Sequence, residues 1–169
     1  ASSGNGGMPH LAGELFKLTA GIDMIQVPYK TESQAVIDLR GGQVDVMFAP
    51  TGGGVLPVIR AGNAKALASA SAKRSAALPE VPTIAESGYP SYEVSAWIAF
   101  MAPAGTPNEI IAKLHTEIVR ALQTPEVKEK LQSTGLEVIG GTPEQLGEVV
   151  KSDNTKWARV FKEANLPRA

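Results

Sequence analysis

The chain has 169 residues, 43% of them hydrophobic and 20% charged, with 16 Lys plus Arg against 17 Asp plus Glu and a formal net charge of −1. That balance excludes a disordered or collagen-like chain and lacks the basic excess that tracks phosphate backbones, so nucleic acid is not an expected partner. With no cysteine, disulfides, thiolate metal sites and cysteine nucleophiles are excluded as well. The first residues, Ala1-Ser2-Ser3-Gly4-Asn5-Gly6-Gly7, read as a glycine loop that leads into a helix. A natural amino terminus rarely opens inside such a loop, so the front of a longer protein is expected to be missing. Pro9 to Ala20 places Leu11, Ala12, Leu15, Phe16 and Leu18 on one helical face, and Gly21 ends it. Ile22 to Tyr29 then alternates as a strand.

Element types continue to alternate. The pattern predicts helices over 33–40 and 54–61, stopped by glycines, and strands over 44–49 and 64–70. Val44-Asp45-Val46-Met47-Phe48 is nearly continuous in apolar character, as strands buried on both faces are, so a parallel or mixed sheet covered by helices is expected. Residues 72–90 are rich in Ala, Ser and Pro and form a connection with one helical turn near Thr83 to Ser87. Tyr92 to Met101 reads as another strand. Three helices then follow Thr-Pro pairs at Thr106, Thr124 and Thr142. Glu109 and Gln145 stand three residues after their threonines and suggest two capping boxes. The last helix carries Leu146, Val150, Asp153, Trp157, Val160 and Ala164 as one stripe, interrupted by the carboxylate of Asp153. No run approaches membrane-spanning length.

Chemistry concentrates at the first loop. Glycines allow close backbone approach, and the first amides of the following helix point outward at the positive end of its dipole. Pro9 stands where a dinucleotide fingerprint needs its third glycine, and no lysine follows as in a phosphate-cradling loop. The loop alone leaves anion binding and a plain helix-starting turn both open. His10 and His115 have no second histidine at metal spacing and read as surface or packing residues. Ser2 and Ser3 lack the glycine-flanked elbow of a hydrolase nucleophile, and Glu80 and Glu86 lie in a connection, so no catalytic set, metal or cofactor is expected. Asp45, a single carboxylate in an apolar strand, fits a structural hydrogen bond as well as a ligand contact.

Taken together, Ser2-Ser3-Gly4-Asn5-Gly6 with His10-Leu11-Ala12-Gly13-Glu14-Leu15-Phe16, Val27-Pro28-Tyr29-Lys30, Asp38-Leu39, Gly41 through Phe48, Ile59-Arg60-Ala61-Gly62, Leu78 through Thr83, Ala102 through Pro107 and Gly141-Thr142-Pro143-Glu144 resemble, in order and spacing, the tripartite tricarboxylate transporter substrate-binding proteins. This is the TctC or Bug family of periplasmic solute receptors. The resemblance covers essentially the whole chain. It implies an α/β fold of the type II periplasmic-binding-protein kind, a mixed sheet flanked by helices, here as an incomplete two-lobed receptor. Residues 1–92 would form the second ligand-binding lobe, and residues 93–169 the crossover strand and the helical part of the first.

The resemblance also implies a function: capture of a small organic carboxylate in the periplasm and delivery to membrane transport subunits, with no reaction and no cofactor. The ligand set implied for this chain is Ser2, Ser3, Gly4, Asn5, Gly6 and Gly7 with Tyr29, Asp45, Ala49 and Trp97. Gly7 stands where Ser or Thr is common, Thr31 where Gly is common, and Ala49 where a polar residue is common. An effector domain of a transcription regulator, or a catalytic domain on a related scaffold, is the alternative reading. Self-association of the truncated chain is a further possible partnership.

Overall fold

Leu11, Ala12 and Leu15 repeat at helical spacing and are all buried, which is why residues 8–20 coil into a helix rather than extend. Gly21 stops it by adopting φ 65°, a left-handed turn in which its amide bonds back to the Lys17 carbonyl. In the computed structural model, which describes residues 1–134 and 136–166, this helix is α1 (Met8–Ala20). It connects two short parallel strands, β1 (Ser2–Ser3) and β2 (Pro28–Tyr29), in the register Ser2 with Pro28 and Ser3 with Tyr29. The order continues α2 (Glu32–Arg40), α3 (Val55–Arg60), α4 (Asn108–Leu122), α5 (Pro125–Ser133) and α6 (Pro143–Glu163).

The chain forms two compact units. One holds Ala1–Ala96 together with the chain from Trp157 onward, the other Trp97–Lys156. The core of the first gathers Ala12, Leu15, Ile84, Tyr92, Val94 and Val160. Phe16 anchors its rim, with ring centroids 5.6 Å from Tyr89, 5.8 Å from Tyr92 and 6.1 Å from Phe48. The first two contacts are edge-to-face, the arrangement that aromatic quadrupoles favour. Tyr92 is 1% exposed, and its hydroxyl donates to the Ala12 carbonyl at 2.9 Å. Burial pushes that phenol well above its ordinary range, because the ionised form would lose its water. Leu11 and Leu15, at 5% and 4% exposure, are each worth roughly 1.5–3 kcal/mol of burial and fix the face that α1 turns inward.

The sheet is smaller than the apolar runs foretold. Of the expected strand over 22–29 only Pro28–Tyr29 pairs, because β1 offers it two residues. Residues 44–49 are not an assigned strand, yet the Ala1 amino group donates to the Val46 carbonyl and the Phe48 amide to the Ala1 carbonyl at 3.2 Å, the start of a ladder on the other edge of β1. The run 64–70 is reduced to one parallel bridge between Ser69 and Thr83, with Val94 bonded to Ala70 at 2.8 Å. Residues 93–101 form no strand, and Ile98 and Phe100 stand 82% and 71% exposed. Strand propensity cannot close a ladder without a neighbouring backbone.

In the second unit the Thr142 box forms as expected: Gln145 Oε1 accepts the Thr142 amide at 2.8 Å, and Thr142 Oγ1 accepts the Gln145 amide at 3.3 Å. The Thr106 box does not. Its hydroxyl donates to the Pro103 carbonyl at 2.9 Å, and α4 starts one residue later than a Thr106 cap requires, with Pro107 as its cap. Thr124 precedes α5 but turns its hydroxyl to Ala121. A reciprocal box appears instead at Thr83 and Glu86 in the first unit, where each accepts the other's amide, at 2.7 and 3.0 Å. Asp153, the carboxylate in the α6 stripe, accepts the Trp97 indole N–H at 2.7 Å.

Candidate ligand-binding site

The loop from β1 into α1 is shaped by its glycines. The Gly4 amide donates to the Tyr29 carbonyl at 2.8 Å and ends the ladder. Gly4 and Gly6 then take φ 78° and 74°, which a side chain would oppose, and the chain reverses into the helix. Gly7 is the N-cap in extended conformation, without a capping side chain, and the first turn of α1 carries no acidic residue. Pro9 contributes no amide. Among the described residues the amides of Asn5, Gly7, Met8 and His10 have no acceptor. Three of these donors, on Gly7, Met8 and His10, belong to the cap and first turn of a 13-residue helix, whose positive end favours an anion, and Asn5 adds a fourth from the loop.

Two side chains tie this loop to the body of the unit. His10, 9% exposed, accepts the Gly6 amide at Nδ1 over 3.0 Å. Its Nε2 lies 3.7 Å from Glu14 Oε1, and the Glu14 carboxylate, itself 6% exposed, is held by Lys17 Nζ at 3.1 and 3.3 Å. From the strand side, Gln26 Nε2 donates to Ser2 Oγ at 3.0 Å and to Asn5 Oδ1 at 3.2 Å. Ser2 is 2% exposed, so its hydroxyl supports the loop from within, while Ser3 is partly exposed. No buried side-chain polar atom among the described residues lacks a partner. A small open cleft of about 40 Å³ is lined by Ser2, His10, Glu14, Gln26 and Phe48 among others.

The residues named from sequence are distributed unevenly. Ser2 to Gly7 and Tyr29 lie on adjoining segments. The Tyr29 hydroxyl is spent on Asp38 Oδ2 at 2.7 Å, and this bond, with some burial and the Asp38 charge, raises the phenol above its usual range. Tyr29 therefore locks β2 to α2 and reaches the loop through its carbonyl. Asp45 is exposed, and Ala49 is half-buried just after the stretch that meets Ala1. Trp97 belongs to the other unit, where its indole serves Asp153. Sequence reasoning took His10 for a surface or packing residue and did not single out Gln26. The available signal was a histidine four residues after a loop glycine and a lone amide in an alternating strand.

A second glycine loop, Gly52-Gly53-Gly54, precedes α3, and it is already filled. Glu32 Oε1 accepts the Val55 amide at 3.2 Å, and a Cβ built on Gly53 would overlap the Glu32 carboxylate. The residue must be glycine for the acid to reach that helix end.

Comparison with known proteins agrees with this architecture. The chain is 41% identical to BugT of Bordetella pertussis over 160 residues, covering 94% of this chain and 48% of that protein, so it spans about half the relative's length. Its fold superposes on a solved structure described as R. palustris Rpa4515 with adipate, with a TM-score of 0.80, 35% identity and coverage of 97% of this chain and 56% of the other. For the periplasmic binding protein BugD the TM-score is 0.77 at 35% identity, over 99% and 57% of the two chains. The family model described as "Tripartite tricarboxylate transporter family receptor" matches residues 1–166, and the chain belongs to that family, TctC.

Proposed function

We propose that the chain is part of an extracytoplasmic receptor that holds a small organic carboxylate at the Ser2–Gly7 loop and delivers it to membrane subunits of a tripartite transporter, without chemical conversion. The observation that carries this reading is the α1 amino end: four free amides, no acid in the first turn and no capping side chain. The adipate-bound neighbour and the periplasmic binding protein BugD support the ligand class and the compartment. In this reading Ser3 adds a hydroxyl to the four amides, while Ser2 and Tyr29 hold their positions. Asp45 and Ala49 flank the stretch from Val46 to Phe48 that meets Ala1, and in this reading they border the site. Residues 1–92 act as most of one lobe, completed by the end of α6 from Trp157, and residues 97–156 contribute to the other.

Magnitudes set what this loop alone can do. Four charge-assisted amide bonds at about 1.5–3 kcal/mol each give about 6–12 kcal/mol, and an association cost of about 4–15 kcal/mol takes the net below the ~8 kcal/mol of a micromolar dissociation constant. A second set of contacts across a closing lobe is therefore needed for tight capture. Calorimetric titration of the whole receptor with a panel of di- and tricarboxylates tests the reading. Saturable binding of at least one acid is expected, and silence across the panel would sink it.

A further inference from the structure

We infer that His10 is a positioning residue whose Nδ1 sets the conformation of the Ser2–Gly7 loop. The inference rests on the carboxylate reading above for what the loop is held ready to do. Gly6 is exposed and in the left-handed region, where glycine has the widest conformational freedom and the loop the most to lose on ordering. Its amide is nevertheless fixed at 3.0 Å to a ring that is 9% exposed. A residue serving packing alone at that burial would be apolar, since an imidazole there must have its polar atoms satisfied.

Both ring nitrogens have work. A backbone N–H only donates, so Nδ1 carries the lone pair and the ring proton sits on Nε2, which faces Glu14 Oε1 at 3.7 Å. Lys17 grips the same carboxylate at 3.1 Å and stops it from swinging away, so the orientation runs from Lys17 through Glu14 and His10 to Gly6. All three side chains stand on α1, and the loop they hold is the one that presents that helix's free amides. The consequence is preorganisation: the Gly6 amide is spent inside the protein so that those of Asn5, Gly7, Met8 and His10 stay aimed outward.

Three substitutions separate this role from packing. Asn places its Oδ1 where Nδ1 stood, Gln places its oxygen nearer Nε2, and Leu fills the volume with no acceptor. In the native chain, nitrogen NMR is expected to show an unprotonated Nδ1 coupled across the hydrogen bond to the Gly6 amide. His10→Leu and His10→Gln should speed Gly6 amide exchange, and weaken adipate binding, by about tenfold, while His10→Asn keeps both near native values. A proton on Nδ1 in the native chain, native Gly6 exchange in His10→Leu, or native adipate affinity in a His10→Leu chain with a freed Gly6 would each overturn the inference. Should the native protein bind no carboxylate at all, the functional reading fails, and Gly6 exchange still reports whether His10 holds the loop.

Discussion

The two glycine loops of the first unit begin alike and end differently. Gly4-Asn5-Gly6-Gly7 leads into α1 and Gly52-Gly53-Gly54 into α3, and neither helix has an acid in its own first turn. At α3 the carboxylate of Glu32, carried by another helix, takes the Val55 amide and closes the end. At α1 no side chain among the described residues does so, and the polar groups nearby, His10 and Gln26, grip the loop rather than cover its donors. A helix start is thus an anion seat only when the rest of the fold leaves it empty, and glycines alone do not reveal which.

The comparison can be broken from either side. Gly6→Val forces a β-branched residue into φ 74° and should cost about 2 kcal/mol in urea unfolding, together with a loss, by about tenfold or more, of affinity for any carboxylate that the whole receptor binds. Native affinity in that variant would mean that the loop shape is irrelevant to binding. At the closed loop, Glu32→Ala should cost about 1 kcal/mol of stability and leave that carboxylate affinity unchanged. Gly53→Ala, whose Cβ meets the Glu32 carboxylate, should cost a similar amount alone and much less in the Glu32→Ala background, a coupling that a double-mutant cycle on unfolding midpoints reads directly. Additive costs would show that Glu32 does not occupy the α3 end.

The smallest effect is a titration at the box Thr83–Glu86, a turn closed by its own side chains. The Arg74 guanidinium at 2.9 Å and the Thr83 amide hold the Glu86 carboxyl below its ordinary range. A depressed carboxylate stabilises the fold above its unfolded value and loses that contribution as pH falls through the folded one. Native and Glu86→Gln chains should therefore differ in unfolding midpoint at neutral pH and converge in acid. A difference that persists in acid would remove the charge from the account.

Much of this was legible before the structure. Helices α1 to α3 and the α6 stripe follow from apolar spacing and terminal glycines, and the turn from β1 into α1 from Gly4, Gly6 and Gly7. Strands were over-read because Val44–Ala49 and Tyr92–Met101 have the composition of strands, whereas a strand exists only with a hydrogen-bonding neighbour. Side-chain roles at long separation were hidden for a related reason. Nothing in the local pattern tells that Gln26 reaches Ser2 across 24 positions, that Glu32 closes a loop beginning at Gly52, or that Trp97 finds Asp153 across 56. Thr106 and Thr142 look alike as caps, and only the neighbouring turn at Pro103 tells them apart.

The central claim is that the α1 end is the open seat and the α3 end a filled one. Titrating the nitrogen-labelled whole receptor with a carboxylate that it binds, while following every backbone amide, tests it most directly. The amides of Asn5, Gly7, Met8 and His10 should shift together along one saturation curve, with Val55 unmoved. Saturable shifts centred on Val55, or binding that leaves those four amides still, would contradict the account.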